Sequence, residues 1–187
     1  MNTIVQLMRG VEFATRKHSD QRRKGENCEP YINHVAEVAS LLAESTGGED
    51  AVLVLAGLLH DTVEDTGTTP DEIEKLFGRE VRDLVIEVTD DKTLPKKIRK
   101  MRQVENAPSK SRRARMLKLA DKTSNLRAIV SSPPVEWDRA RKLEYFEWAK
   151  AVADSCRGLN PGLEAAFDEA YAAGLACLTG PVSDVGP

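Results

Sequence analysis

Residues Ala51 to Leu59 form an unbroken run of nine without a polar side chain, and the next two residues are His60 and Asp61. A segment that is apolar all round has to be buried all round. It is too short to cross a bilayer as a helix, which takes about 20 apolar residues. Periodicity alone cannot separate a buried strand from a buried helix in so short a run. Three features favour helix. Glu49 and Asp50 precede it, where the positive end of a helix dipole welcomes acids. Leu and Ala outnumber β-branched residues, and no breaker arrives before Gly67 and Pro70. The run is therefore read as a central helix, with a histidine and an aspartate carried at its end.

The flanking segments are also helical in pattern. A first helix is expected over roughly Asn2 to Ser19, packing through Val5, Met8, Val11, Glu12 and Thr15. A polar loop follows, Gln21 to Glu29. Pro30 opens a second helix at a position where a missing N–H costs nothing; Val35, Val38, Ala39, Leu42 and Ala43 give it helical spacing, and Gly47-Gly48 stops it. Further helices are predicted from Thr69 or Pro70 to Phe77, over Glu80 to Val88, Pro95 to Glu105, Ser111 to Val130, Val135 to Arg157 and Pro161 to Leu178. No alternating strand run, hairpin signal, repeat or linker interrupts them. The expectation is one all-α domain over 1–178, a helical bundle, with a frayed tail at 179–187.

At 187 residues the chain can bury about 70% of its unfolded surface, so no metal or disulfide is needed merely to fold it. Its start, Met1 to Gln6, lacks the cationic end and apolar core of a signal peptide. Cys28, Cys156 and Cys177 form no CxxC pair and are read as reduced thiols in a cytoplasmic protein. Net charge is −3, unevenly spread. Lys92 to Lys118 holds eleven Lys or Arg against one acid, Glu105, a local +10 that leaves −13 for the remainder. Such a stretch is either a solvated helix surface or a site for an anionic ligand.

Chemistry concentrates in a few residues. A His-Asp pair at the end of the most apolar segment needs partners, because buried polar groups are costly without them. His34 lies at the start of the second helix, and Asp121 interrupts the apolar part of another. Two imidazoles and two carboxylates make a mixed N/O set suited to Mn, Fe or Zn rather than Ca or Mg. Three helices would then converge on one ion, as in bundle-core metal sites. On a continuing helix, Glu64 and Asp65 fall one turn beyond His60 and Asp61. There they can orient or deprotonate a water beside the ion. Arg22-Arg23-Lys24 can hold a phosphate or stack on a base. Asn125 lies one turn after Asp121, within reach of a ligand at the ion.

Longer strings carry a resemblance: Arg22-Arg23-Lys24, Glu29-Pro30-Tyr31-Ile32-Asn33-His34, Leu58-Leu59-His60-Asp61-Thr62-Val63-Glu64-Asp65, Val88-Thr89-Asp90-Asp91-Lys92 and Lys118-Leu119-Ala120-Asp121-Lys122. With them the chain resembles the HD-domain phosphohydrolases, in particular the hydrolase half of RelA/SpoT enzymes and the small free-standing alarmone hydrolases of the metazoan SpoT-homologue type. The resemblance covers roughly Phe13 to Trp148. It implies an all-α HD fold and hydrolysis of (p)ppGpp to GDP or GTP and pyrophosphate, with one divalent ion, commonly manganese. His34, His60, Asp61 and Asp121 would bind the ion, and Glu64 and Asp65 would position and activate the water. Arg23 and Lys24 would contact guanine and its phosphates, and Asn125 the ribose. Lys96, Lys97, Arg141 and Tyr145 would meet the phosphates. Relatives often carry a bulky residue before Asn-Leu-Arg; here Thr123-Ser124 stand in front of Asn125, which suggests looser packing by the ribose. Cys28 falls in the substrate-side loop and is read as incidental.

Three other readings remain open. The 2′-phosphate of NADPH is a second candidate substrate. A silent HD module could bind the alarmone as a sensor, although Glu64 and Asp65 would then have little use. An RNA-binding role for Lys92 to Lys118 ranks last, since the chain has only nine aromatics and no stacking motif.

Overall fold

In a computed structural model describing residues 2–180, the nine apolar residues are one helix, α3 (Ala51–Leu59), and Leu53 to Leu59 are all buried. It is enclosed by α1 (Thr3–Lys17), α2 (Ile32–Ser45), α6 (Arg79–Val88) and α8 (Arg112–Ser131). A short α4 (Thr62–Asp65) continues beyond it, followed by α5 (Pro70–Phe77). α7 (Lys96–Asn106) runs into a single 3₁₀ turn, Ala107–Ser109. α9 (Arg139–Asp154) and α10 (Pro161–Thr179) complete the bundle against α8. Among the described residues there is no strand; two isolated bridges pair Arg22 with Pro30 and Gly25 with Pro134. No helix is long and apolar enough to cross a membrane. The tail expected at 179–187 lies outside the described residues from 181 onward.

Side-chain caps define the starts. Asp50 accepts from the Leu53 N–H at 3.1 Å, Thr69 from Glu72 at 3.2 Å, Ser111 from Ala114 at 3.2 Å and Asp138 from Arg141 at 2.7 Å. Each such cap contributes about 1 kcal/mol. The Asp138 cap also explains why α9 starts at Arg139 and not at Val135. α2 starts at Ile32, because Pro30 is engaged in the bridge to Arg22.

The first helix corrects its sequence reading. Val5, Met8 and Val11 are exposed, while Gly10, Phe13 and Ala14 are buried. Gly10 decides this: a Cβ there would stand 2.8 Å from Leu55 Cδ2, so the glycine lets α1 lie close on α3. Phe13, one turn on, packs edge-on to Phe77 at 5.4 Å.

A tighter contact joins α9 and α10. A Cβ on Gly174 would meet Phe146 at 2.0 Å, inside a ring that is fully buried. Gly174→Ala should therefore destabilise the fold by about 1–3 kcal/mol through overpacking, lowering Tm by several degrees. Adding Phe146→Leu should recover part of that loss in a double-mutant melt. Independent, additive effects would show that the two residues do not share the space.

Candidate metal centre and adjoining basic cleft

Three helices deliver ligands to one point. His34 comes from the first turn of α2, His60 from the end of α3 and Asp121 from the middle of α8. All three are buried, and one ligand atom from each lies within 4.8 Å of the others. His34 Nε2 is 3.3 Å from Asp121 Oδ1, and His60 Nε2 is 4.0 Å from the same oxygen. Asp61 joins them, with Oδ2 3.1 Å from His60 Nε2 and 3.7 Å from His34 Nε2.

The far side of each ring is held. His60 Nδ1 donates to the Gly57 carbonyl at 2.9 Å, a bond internal to the apolar helix. Ser124 Oγ gives its proton to Glu37 at 2.7 Å and so accepts from His34 Nδ1 at 2.9 Å. With Nδ1 donating in both, both Nε2 atoms face the cluster, the arrangement that metal-binding imidazoles use. His60 Nε2 is buried and has no hydrogen-bond partner. That nitrogen, facing a second imidazole and the carboxylates of Asp61 and Asp121, fits a divalent ion bound by N and O donors.

The electrostatics are those of a site that binds a cation. Burial depresses the His34 pKa, keeping that ring neutral. Burial acts the same way on His60, but the carboxylates of Asp61 and Asp121 outweigh it and raise the pKa to about 9. Asp61 is held well below the usual carboxylate range: burial opposes this, and the His60 charge prevails. Asp121 is likewise depressed against its burial, chiefly by Lys122, whose Nζ donates to Oδ2 at 2.7 Å. Tyr31 donates to Asp61 Oδ2 at 2.6 Å.

Glu64 and Asp65 follow on α4. Asp65 N–H bonds the Asp61 carbonyl at 2.8 Å, so the turn expected from the sequence is present although the helix breaks at His60 and Asp61. Glu64 Oε2 accepts from the Asp90 N–H at 3.1 Å, and Arg99 stands 3.7 Å from its other oxygen. Burial, reinforced by the charges of Asp61, Asp90 and Asp65, raises the Glu64 pKa. Asp65 is ion-paired with Lys92.

A cleft adjoins the cluster. Arg23, Lys24, Tyr31, Lys96, Asn125 and Tyr145 line a cavity of about 280 Å³. Lys96 and Tyr145 are shared with a second hollow of about 510 Å³ that adds Lys97 and Arg141. A relay connects cleft and metal cluster: Arg23 donates to Asn125 Oδ1 at 3.1 Å, and Asn125 Nδ2 donates to Asp121 Oδ1 at 2.6 Å. The loop carrying Arg23 is pinned by Arg23 N–H to the Glu29 carbonyl at 2.8 Å and Glu26 N–H to that of Pro133 at 3.1 Å. Burial and neighbouring cations lower the pKa of Lys96.

A family model described as HD domain matches residues 10–146. The chain belongs to the HD-domain family. It is 51% identical to the guanosine-3′,5′-bis(diphosphate) 3′-pyrophosphohydrolase of Mus musculus over 166 residues, 89% of this chain and 93% of that protein. The Drosophila melanogaster enzyme of the same name is 46% identical, covering 88% and 92%. A solved structure reported as a metazoan ortholog of SpoT that hydrolyses ppGpp superposes with a TM-score of 0.86 at 45% identity, covering 90% of this chain and 94% of that one. A Listeria monocytogenes protein, lmo0812, superposes with a TM-score of 0.62 at 34% identity, covering 78% and 97%.

Of the sequence-selected residues, His34, His60, Asp61 and Asp121 come together in the cluster, Arg23, Lys24, Asn125, Lys96, Lys97, Arg141 and Tyr145 line the two hollows, and Glu64 and Asp65 lie on α4, engaged by Asp90, Arg99 and Lys92. The basic stretch divides in two. Lys96, Lys97 and Lys100 of α7 face the cleft, and Arg99 faces Glu64. On α8, Arg113 pairs with Asp50 at 2.8 Å and Arg112 caps the Leu159 carbonyl at 2.9 Å. Thr123 and Ser124 are buried on α8, Thr123 bonding back to the Leu119 carbonyl at 2.8 Å and Ser124 standing between Glu37 and His34. Sequence reasoning assigned no role to Trp137, over which Arg141 lies at 4.7 Å, or to Trp148, which carries Lys122 at 4.4 Å. Both are far in sequence from the motifs, and their only signal was an aromatic beside a cation-rich segment.

Removing a ligand should empty the site. His60→Ala and Asp121→Ala should each lose the ion in elemental analysis while retaining helical circular dichroism. Linkage adds a second outcome. In the metal-free protein His60 holds its proton below about pH 9, and an ion must displace it. Metal binding should then release close to one proton near neutral pH and weaken as pH falls. Calorimetry in buffers of different ionisation enthalpy reads the proton count; a value near zero would contradict the His60 assignment.

Proposed function

We propose that this protein is a metal-dependent guanosine-3′,5′-bis(diphosphate) 3′-pyrophosphohydrolase, converting ppGpp and pppGpp to GDP and GTP with release of pyrophosphate and so lowering the stringent-response alarmone. The observation that carries this reading is the joining of the two parts: a buried imidazole–carboxylate cluster on which both His Nε2 atoms converge, tied through Asn125 and Arg23 to a cleft lined with cations.

His34, His60, Asp61 and Asp121 are the ligands of one ion, taken here as manganese, with iron or zinc compatible with the same donors. When bound, the ion supplies Lewis acidity to a phosphoryl oxygen and to a neighbouring water. Glu64, with its raised pKa, takes the proton of the attacking water, a task for which a base closer to neutrality is better matched. Asp65, set by Lys92, orients that water. Water adds at the phosphorus attached to the ribose 3′ oxygen. The P–O bond to the ribose breaks, and the ribose oxygen leaves and is reprotonated. Arg23 and Lys24 hold the guanine and its phosphates, Asn125 the ribose, and Lys96, Lys97, Arg141 and Tyr145 the remaining phosphates. These cations offset the charge of a bound polyphosphate before and during bond breaking.

The cleft wall of cations and aromatics grips phosphate and any purine face. The 2′-phosphate of NADPH is therefore a second substrate that the same chemistry admits. Free cysteines at 28, 156 and 177 suit a reducing, cytoplasmic setting. A silent sensor would have no use for a carboxylate held near the cluster with a raised pKa.

Incubation of the protein with manganese and ppGpp should yield equal amounts of GDP and pyrophosphate, and a chelated sample should yield none. Intact ppGpp with consumed NADPH would move the assignment to the second substrate. Glu64→Gln should keep the metal and lower turnover by about 10²–10⁴-fold, the range of general-base contributions. Full turnover in that variant would remove Glu64 from the mechanism.

A further inference from the structure

A third cavity, of about 170 Å³, is lined in part by α7 and contains none of the cluster or cleft residues named above. Its wall presents five cations: Arg99, Arg102, Lys110, Arg115 and Lys118. Two carboxylates, Asp90 and Asp91, share the wall, and both are engaged. Asp90 accepts from Gln103 Nε2 at 2.6 Å, and Asp91 accepts from the Thr93 N–H at 3.0 Å and hydroxyl at 2.6 Å.

The cations are less well served. Lys118 is only 8% exposed and has no hydrogen-bond or ion-pair partner among the described residues. Arg115 donates through one terminal nitrogen to the Arg157 carbonyl at 3.0 Å, while its Nε is buried with no partner. Arg99 Nε is likewise buried and unpartnered, although a terminal nitrogen stands 3.7 Å from Glu64 and 3.9 Å from Asp90, and Lys110 donates to the Glu87 carbonyl. Arg102 is exposed at the mouth and makes no hydrogen bond or ion pair among the described residues. Burying an unpaired ammonium is costly, and Lys118 responds: burial and the charge of Lys122 depress its pKa. One acceptor, Gln103 Oε1, is also buried without a donor.

We propose that this cavity is an anion site, separate from the substrate cleft, that takes a phosphate-class oxyanion, orthophosphate or pyrophosphate. An oxyanion satisfies several donors at once and places negative charge beside a buried lysine that makes no hydrogen bond or ion pair among the described residues. A protonated oxygen of hydrogen phosphate can donate to Gln103 Oε1. Size excludes larger ligands: sites for drug-sized molecules run to about 300–1,000 Å³, so a nucleotide does not fit. None of its residues binds the ion or lines the cleft, although Asp90 and Arg99 on its wall also contact Glu64.

The test is calorimetric titration of the metal-free, chelated protein with orthophosphate and, separately, with pyrophosphate. Three variants accompany the wild type: Lys118→Met, Arg102→Ala and, as the cleft control, Arg141→Ala. The expected result is binding of at least one of the two anions, weakened tenfold or more by Lys118→Met and by Arg102→Ala and unchanged by Arg141→Ala. The anion that binds more tightly to the wild type identifies the occupant. Absence of binding overturns the proposal, and so does binding that Arg141→Ala abolishes and the other two leave intact. Arg102 lies at the surface, so that variant keeps the test decisive should Lys118→Met fail to fold. No step requires turnover, and a failure here is distinct from a failure of the hydrolase reading.

Discussion

A helix with no polar side chain has to be enclosed, and the enclosure of α3 organises the rest of this protein. α1, α2, α6 and α8 lie around it. Each of its buried leucines contributes on the order of 1.5–3 kcal/mol by leaving water. The helix ends where its apolar side chains end, and His60 and Asp61 are held there by the surrounding core. The bond from His60 Nδ1 to the Gly57 carbonyl, 2.9 Å long, is the last link. It joins the most apolar element to the cluster and aims Nε2 at the place where α2 and α8 bring His34 and Asp121. Rigidity of the core becomes precision at the site, since ligands on three packed helices cannot shift independently.

Around this centre, charge is distributed by function and by packing. α8 has charged and hydroxyl residues in its buried middle: Lys118, Asp121, Lys122, Thr123 and Ser124. Lys122 offsets Asp121 and lies over Trp148; Ser124 orients His34; Thr123 bonds back to the Leu119 carbonyl at 2.8 Å. Only Lys118 lacks such a partner. α7 has no buried residue of its own and lies over this part of the bundle as a strip of cations. The +10 segment is thus neither wholly a solvated surface nor wholly a ligand site. Its α7 half faces the cleft, while Arg112 and Arg113 tie down the start of α8.

Much of this was legible in the chain. The all-α class followed from periodicity, breakers and caps, which are local properties; Asp50, Thr69 and Ser111 mark helix starts in sequence as they do in space. His34, His60, Asp61 and Asp121 could be picked out because polar residues set in apolar helices require a reason. Glu64 and Asp65 followed from the helical turn. The packed face of α1 was misread: its apolar stripe, Val5, Met8 and Val11, points outward, and Gly10 makes the contact. A hydrophobic pattern shows which face can be buried. It does not show where a missing side chain lets two backbones approach.

The sequence by itself determined the element types and marked out the candidate metal-binding residues, because these depend on residue identity and on spacings of a few positions. Tertiary structure alone decided what stands next to what. It set Asn125 between Arg23 and Asp121, aligned Ser124 with His34, and brought Asp90 and Arg99 to Glu64. It also enclosed Lys118 without a hydrogen-bond or ion-pair partner among the described residues. Apart from the Asn125–Asp121 bond within α8, those relations join residues 26 to 102 positions apart. Burial, and the neighbouring charges that reinforce or outweigh it in each pKa shift at the site, arise only when helices from the whole chain close over the same point.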